Sequence, residues 1–125
     1  IISFTKDLEL DKEVEFNGEG YDRFNQLIID DDNNIVVVGT IALIDKNIDK
    51  NSANAFNHDG VIAKYDSNLE KIKELTYGDE RDDYFTSIID YDGNYLISGY
   101  SSYEDGSYLS KFIKYSYAFK VLGVE

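Results

Sequence analysis

The chain has 125 residues, the size of about one domain, and a net charge of −13 from 12 basic and 25 acidic side chains. That charge excludes a surface that neutralises nucleic-acid phosphates or anionic lipid, and the absence of cysteine excludes disulfides and thiolate zinc sites. Leu, Ile, Val and Phe fill 37 positions, enough for a core, but no apolar run approaches the ~20 residues of a membrane span. We expect a folded domain with no nucleic-acid partner and no membrane insertion.

An internal repeat organises the sequence. Residues 1–31 align without gaps on residues 62–92, and apolar positions coincide with apolar positions. After a one-residue slip the match continues at an offset of 60, and Lys64-Tyr65 recurs 50 residues later as Lys114-Tyr115. Other matching pairs are Phe4 with Tyr65, Leu8 with Leu69, Phe24 with Phe85, Asn34 with Asn94, and Gly39 with Gly99.

The repeat divides the chain into a partial unit and two full units. Within a unit, short β-branched and aromatic segments alternate with clusters of Asp, Asn, Gly and Ser, which predicts strands joined by tight turns and no helix. Asn33-Asn34 and Asp92-Gly93 supply residues that tolerate the positive φ of hairpin turns. The predicted units cover residues 1–20 (partial), 21–81 and 82–125. The predicted strands are Phe24–Ile29, Asn34–Ile41, Val61–Tyr65 and Leu69–Tyr77 in the first full unit, and Phe85–Asp90, Tyr95–Tyr100, Leu109–Tyr115 and Phe119–Val124 in the second.

Each full unit is predicted to be a four-stranded antiparallel meander. The second strand contains Ile35–Val38, apolar without alternation, and so should lie inside the sheet. The strand Leu69–Tyr77 does not alternate cleanly and should form a solvated edge. Residues 42–58 interrupt the repeat in the first unit and are predicted to form a long exposed loop of the kind that carries recognition.

Meanders repeated every 50 to 60 residues are typical of β-propeller blades, each of which packs on the next. The fold class predicted is therefore all-β, with propeller-type blades, and an open β-sandwich or stacked-sheet domain is the alternative. Propellers use roughly four to eight blades, so two full units and a partial one predict self-association or membership of a longer chain. Phe24 and Phe85 should occupy equivalent places in adjacent sheets.

Four runs of the sequence carry a resemblance to a known kind of protein. They resemble repeat units of secreted or surface-anchored β-propeller-like proteins of clostridial-type Gram-positive bacteria, over most of residues 3–115. The sequence departs from those units at residues 72–75, where they have Trp, and at Asp79, where they have a second Gly. The resemblance implies a propeller architecture and a secreted or cell-surface location, with no shared activity or catalytic residues. The runs are Ile62–Asn68, Leu75–Gly78, Asp82–Ile88 and Asp92–Ser101.

The sequence contains only weak signals for catalytic or metal-binding residues. His58, the single histidine, has the chemistry of a general base but no visible nucleophile, and we interpret it as a solvated loop residue. The carboxylates are too numerous to single out a glycosidase pair. The acidic turns 30–34 and 90–94 offer the oxygen ligands that calcium prefers, but neither fits an EF-hand loop, and hairpin chemistry explains both. We expect no cofactor and no metal.

Tyrosine is abundant near the end of the chain. Its ring and hydroxyl suit sugar stacking and protein interfaces, so Tyr100, Tyr103 and Tyr108 are the candidate ligand-contacting residues, although packing between sheets would also explain the excess. The leading hypothesis is a non-enzymatic extracellular binding or scaffold module with a protein or glycan ligand. A lectin-like assembly closed by oligomerisation is the alternative, and a hydrolase is the third.

Overall fold

The structure is a computed structural model that describes residues 1–16, 20–44 and 56–125. Every regular element in these residues is a β-strand, so the all-β class is confirmed. Within the same residues no helix is long and apolar enough to cross a membrane.

The described strands form three antiparallel sheets, each made of strands that follow one another in the chain. The two full units are four-stranded meanders in the orders β3-β4-β5-β6 and β10-β9-β8-β7. We call the sheets the N-terminal hairpin, the middle sheet and the C-terminal sheet. The hairpin consists of β1 (Ile2–Phe4) and β2 (Leu10–Glu13); the middle sheet of β3 (Arg23–Ile29), β4 (Ile35–Ile44), β5 (Phe56–Tyr65) and β6 (Lys71–Tyr77); and the C-terminal sheet of β7 (Asp83–Tyr91), β8 (Asn94–Ser102), β9 (Tyr108–Ser116) and β10 (Val121–Val124).

The long apolar strand β4 lies inside the middle sheet and β6 lies at its edge, as predicted. Because successive side chains of β4 point to opposite faces, both faces of the sheet are apolar. Val36 and Val38 join the core shared with the C-terminal sheet, whereas Val37 packs with Ala63 towards the hairpin. The three sheets are therefore stacked in chain order, with the middle sheet covered on both sides.

Phe24 and Phe85 occupy equivalent places, as expected from the repeat. Phe24 pairs with Gly39 and Phe85 with Gly99, and each precedes a bulge in its strand. A Cβ at either glycine would collide with a backbone carbonyl oxygen of the facing strand, which explains why both units keep glycine there. Phe85 is buried between the two large sheets, and Phe24 is half-buried beneath the hairpin.

The prediction of a long exposed loop over residues 42–58 is wrong at both of its ends. Residues 42–44 extend β4 and residues 56–58 extend β5, with Ala42 paired to His58. The reason is that the two strands continue their ladder past the point where the sequence repeat stops. The centre of the predicted loop, residues 45–55, lies outside the described residues.

The predicted starts of two outer strands are also wrong. Leu69 and Phe119 precede β6 and β10 and lie in tight turns with φ near +60°. Leu8 has the same conformation before β2. Large apolar residues seldom adopt positive φ. Leu69 and Phe119 are therefore predicted as strand residues from their type, although they lie in turns. Of the hairpin-turn residues named from the sequence, Asn33, Asp92 and Gly93 have positive φ, but Asn34 does not.

Candidate functional site

A row of aromatic rings crosses one end of the C-terminal sheet. Tyr84 on β7 and Tyr100 on β8 are directly paired across the strands, and their ring centroids are 4.8 Å apart. Tyr108 on β9 meets the Tyr100 ring edge-on at 5.4 Å, and His58 from β5 stacks on Tyr84 at 5.7 Å. We call these four residues the aromatic row.

The aromatic row combines buried and exposed rings. Tyr108 is largely exposed, whereas Tyr84 is half-buried, and its loss of water raises its pKa to about 12. The Tyr84 hydroxyl therefore stays protonated at neutral pH and can donate a hydrogen bond. One exposed ring beside half-buried rings and hydroxyl groups suits a ligand that has both an apolar face and polar edges.

The structure separates Tyr103 from the other two candidate tyrosines. Its ring lies 4.9 Å from the Arg81 guanidinium, which in turn binds the Asp79 carboxylate. This pairing lowers the pKa of Asp79 to about 2 and fixes the connection between β6 and β7. Tyr103 thus packs on a charged turn, while Tyr100 and Tyr108 belong to the aromatic row.

His58 lies in a strand and not in a loop, which corrects the sequence-based interpretation. Its Nδ1 is 3.2 Å from Oδ1 of Asp82, and its backbone N–H donates to the same oxygen. A general base also needs a nucleophile within hydrogen-bond reach, and the hydrogen-bond partner found for this ring among the described residues is a carboxylate. The contacts of His58 therefore position a ring of the aromatic row.

The two acidic turns lie side by side at the junction of the large sheets. Oδ1 of Asp30 accepts hydrogen bonds from the N–H groups of Asp32 and Asn34, at 3.0 and 2.9 Å, so it shapes its own turn. Asp90 accepts hydrogen bonds from the Tyr117 hydroxyl and from the N–H of Asp31. Asp30 is therefore committed through both oxygens to bonds within and between the sheets, whereas Oδ1 of Asp90 is buried without a hydrogen-bond partner among the described residues.

Lys64 supplies the positive charge near these carboxylates. Its ammonium lies 4.0 Å from Oδ2 of Asp30 and donates to the Tyr117 carbonyl at 2.6 Å. Three rings surround it at 5.0 to 5.4 Å, and burial lowers its pKa. The rings belong to Tyr95, Tyr117 and Phe119.

A second acidic cluster is buried near the start of β7. Asp83 accepts a hydrogen bond from Ser101 and lies 3.3 Å from the Lys111 ammonium. Asp59 is also buried, but its Oδ1 has no hydrogen-bond partner. Loss of water, and then the charges of Asp83, Asp79 and Asp82, raise the pKa of Asp59.

The acidic clusters do not have the arrangement of a metal centre. Within residues 1–16, 20–44 and 56–125, no three His, Cys, Asp or Glu side chains are grouped so that they could hold a metal ion. A lysine beside each cluster supplies the balancing positive charge: Lys64 lies beside Asp30, and Lys111 lies beside Asp83.

Tyr84 and Asp59 are two residues that the sequence-based prediction of the site does not single out. Tyr84 precedes the inward-facing Phe85, so strand alternation places it on the opposite side of β7, and this was the available signal. Asp59 lies between the predicted loop 42–58 and the predicted strand Val61–Tyr65, in a connecting segment where an acidic residue needs no explanation.

These features define an all-β protein of stacked antiparallel sheets with an aromatic row at one end. No family model matches the chain, and no curated protein matches it.

Proposed function

We propose that the chain is a non-enzymatic binding or scaffold module of β-propeller type that acts outside the cell. Support for blades comes from the stacking of successive meanders in chain order. The net charge of −13 argues against nucleic acid as the partner. The extracellular location rests on the resemblance to surface proteins of Gram-positive bacteria.

The observation that carries the binding role is the aromatic row. Stacked rings that end in a largely exposed tyrosine offer a ligand a flat apolar surface with little loss of side-chain entropy. Tyr100 and Tyr108 are the proposed contact residues, with Tyr84 and His58 behind them. Tyr103 is proposed to contact the ligand at the margin of the row, together with Arg81.

The ligand class favoured by this surface is a glycan. Sugars present apolar C–H faces to aromatic rings and hydroxyls to polar groups, and the row supplies both kinds of partner. A protein ligand is the competing possibility, and it would need a larger surface around the row. A lectin-like ring formed by several copies remains the alternative architecture for the same site.

A glycan array, followed by titration calorimetry with the glycans retained, tests this function. We expect replacement of Tyr108 by Ala to abolish retention, because it removes the exposed ring. The matched control is Tyr91→Ala, which removes an exposed tyrosine from the same sheet but outside the row. Failure to retain any glycan, or equal loss in both variants, would overturn the glycan proposal. Turnover of a chromogenic glycoside that Tyr108→Ala leaves intact would favour the hydrolase hypothesis instead.

A further inference from the structure

Three equivalent turns hold a large apolar residue at positive φ. Leu8 and Leu69 are 61 residues apart and Leu69 and Phe119 are 50 apart, which are the offsets of the repeat. Their φ angles are 63°, 62° and 61°. L-residues with side chains avoid this conformation, so its presence at the same place in all three units indicates a shared requirement.

Two of these residues insert into the preceding sheet. Phe119 is 5% exposed and packs in the core between the large sheets, with the Lys73 ammonium 5.7 Å from its ring. Leu69 is also 5% exposed and lies beside Val14 and Phe16, at the end of the hairpin. The buried side chain compensates for the unfavourable backbone conformation.

A lysine hydrogen bond accompanies both insertions. Lys73 Nζ donates to the carbonyl of Ala118, the residue before Phe119, at 2.7 Å. Lys12 Nζ, the equivalent group in the hairpin, donates to the carbonyl of Asn68, the residue before Leu69. One mode of contact therefore joins the hairpin to the middle sheet and the middle sheet to the C-terminal sheet.

The third residue, Leu8, is 82% exposed. Ile2 and Phe4 on the same hairpin are exposed as well. Their equivalents in the middle sheet, Ala63 and Tyr65, are buried against the hairpin. The hairpin thus presents to solvent the side chains that the following sheets use to bind the sheet before them.

The opposite end of the molecule presents the complementary surface. The middle sheet holds the C-terminal sheet through Val36, Val38, Ile62 and Lys64. The equivalent positions of the C-terminal sheet lie on its outer face, where Phe112 is 54% exposed. These positions, counted at offsets of 60 and 50, are Leu96, Ser98, Phe112 and Lys114.

We propose that a second copy of this chain binds head to tail across these two surfaces, with Leu8 of one copy against Phe112 and Lys114 of the other. This contact repeats the one inside the chain, where Phe119 lies beside Lys64 and packs in the core that contains Ile62. Lys114 Nζ donates to the carbonyl of Lys6 in the second copy, just as Lys64 donates to the equivalent carbonyl of Tyr117. The occupant is a copy of this chain because both halves of the contact lie on the same molecule.

The proposal goes beyond the binding function and leaves it testable. Phe112 pairs with Ser98 in the middle of the outer face, whereas Tyr100 and Tyr108 lie towards the end where β9 begins. The two surfaces that meet, around Leu8 and around Phe112, are different, so the contact is heterologous. Copies therefore add in one direction and form an open stack or a ring. Because each copy carries a charge of −13, added salt strengthens the association by screening the repulsion.

Sedimentation velocity from micromolar to about millimolar protein tests the contact, since weak interfaces associate in this range. The variant Leu8→Gly removes the inserted side chain and suits a positive φ, so it should not lower the melting temperature. We expect it to weaken association by at least about tenfold, the loss typical of an interface anchor. In contrast, Leu69→Gly, with the same change at a buried equivalent, should lower the melting temperature.

A second pair of variants tests the other surface. We expect Phe112→Asp to weaken association, while Val121→Asp has no effect. Val121 is 51% exposed in the same sheet but pairs with Tyr115, so it lies on the face turned towards the middle sheet. Equal effects of the two variants would overturn the proposal.

Mixing the two defective variants gives the sharpest result. Leu8→Gly keeps the surface around Phe112, and Phe112→Asp keeps the surface around Leu8, so an equimolar mixture should form one heterodimer that cannot grow. A symmetric dimer, in which the same patch meets itself, would not be restored in this way. The proposal is overturned by a monomer at every concentration or by a mixture that stays monomeric.

Discussion

The Tyr95 hydroxyl of the C-terminal sheet donates a 2.5 Å hydrogen bond to Oδ2 of Asp30 in the middle sheet, and both groups are buried. The bond joins the two large sheets at the end where their acidic turns meet. Burial and the neighbouring Asp30 carboxylate raise the pKa of Tyr95, so the hydroxyl keeps its proton across the working pH range.

Replacement of Tyr95 by Phe should destabilise the fold by about 2 kcal/mol, because it leaves a buried carboxylate oxygen without its donor. Urea unfolding measures the change. Tyr91→Phe is the matched control, since Tyr91 is exposed in the same sheet, and it should change stability by less than about 0.5 kcal/mol. Equal stability of the two variants would show that the bond between Tyr95 and Asp30 is not stabilising.

Asp59 should make the fold less stable as the pH rises. Its folded-state pKa is raised above the ordinary value of 3.8, so between these two values the unfolded chain has lost a proton that the folded chain keeps. Each increase in pH across that window therefore lowers the free energy of unfolding. Asp59→Asn removes the effect and should become more stable than the wild type as the pH rises from 4 to 8.

Urea unfolding at several pH values tests the role of Asp59. Asp105→Asn is a control of opposite sign, because hydrogen bonds from Ser107 lower the pKa of Asp105. That carboxylate stabilises the fold above its unfolded-state pKa and loses the effect as the pH falls. Parallel pH profiles for Asp59→Asn and the wild type would contradict the prediction.

Calcium should leave the melting temperature within about 2 °C of its value in chelator, a change below roughly 0.5 kcal/mol for a domain of this size. The oxygens of Asp30 are occupied by its own turn and by Tyr95, so a cation would have to displace existing bonds. Thermal unfolding monitored by circular dichroism gives the measurement. A rise of about 5 °C that disappears in Asp90→Asn would reveal a calcium site.

Equivalent phenylalanines should have unequal effects on stability. Phe85→Ala should cost about 3 to 5 kcal/mol, because the ring is buried between two large sheets and stacks on Tyr77. Phe24→Ala should cost roughly half as much, since Phe24 is half-buried beneath a two-stranded hairpin. Urea unfolding of both variants measures the two losses in stability. Equal losses would show that the hairpin covers the middle sheet as fully as the C-terminal sheet does.

The strands were predictable because their apolar patterns are local and repeated. The pairing of Phe24 with Gly39 recurs as the pairing of Phe85 with Gly99. The sequence repeat alone predicts that these two pairs of strands are equivalent. Turns with Asn33 or with Asp92-Gly93 were also predictable, since these residues favour positive φ.

The candidate site was less predictable because it depends on contacts between distant segments. The chemistry of Tyr100 and Tyr108 identifies them as candidates, but their contacts with Tyr84 and His58 follow from strand pairing and from the stacking of the sheets. The positive φ of Leu69 has no signal in composition, because the stabilising burial comes from the hairpin, more than 50 residues earlier in the sequence.

Stacking in one direction also affects how such a chain can change its length. The middle sheet meets its predecessor through Val37 and Ala63 and its successor through Val36 and Ile62. A duplicated unit placed beside it would carry both faces already formed, so a tandem duplication would create a matched interface without new mutations. Substitutions on one face alone would break that interchangeability and fix a unit to a single place in the series.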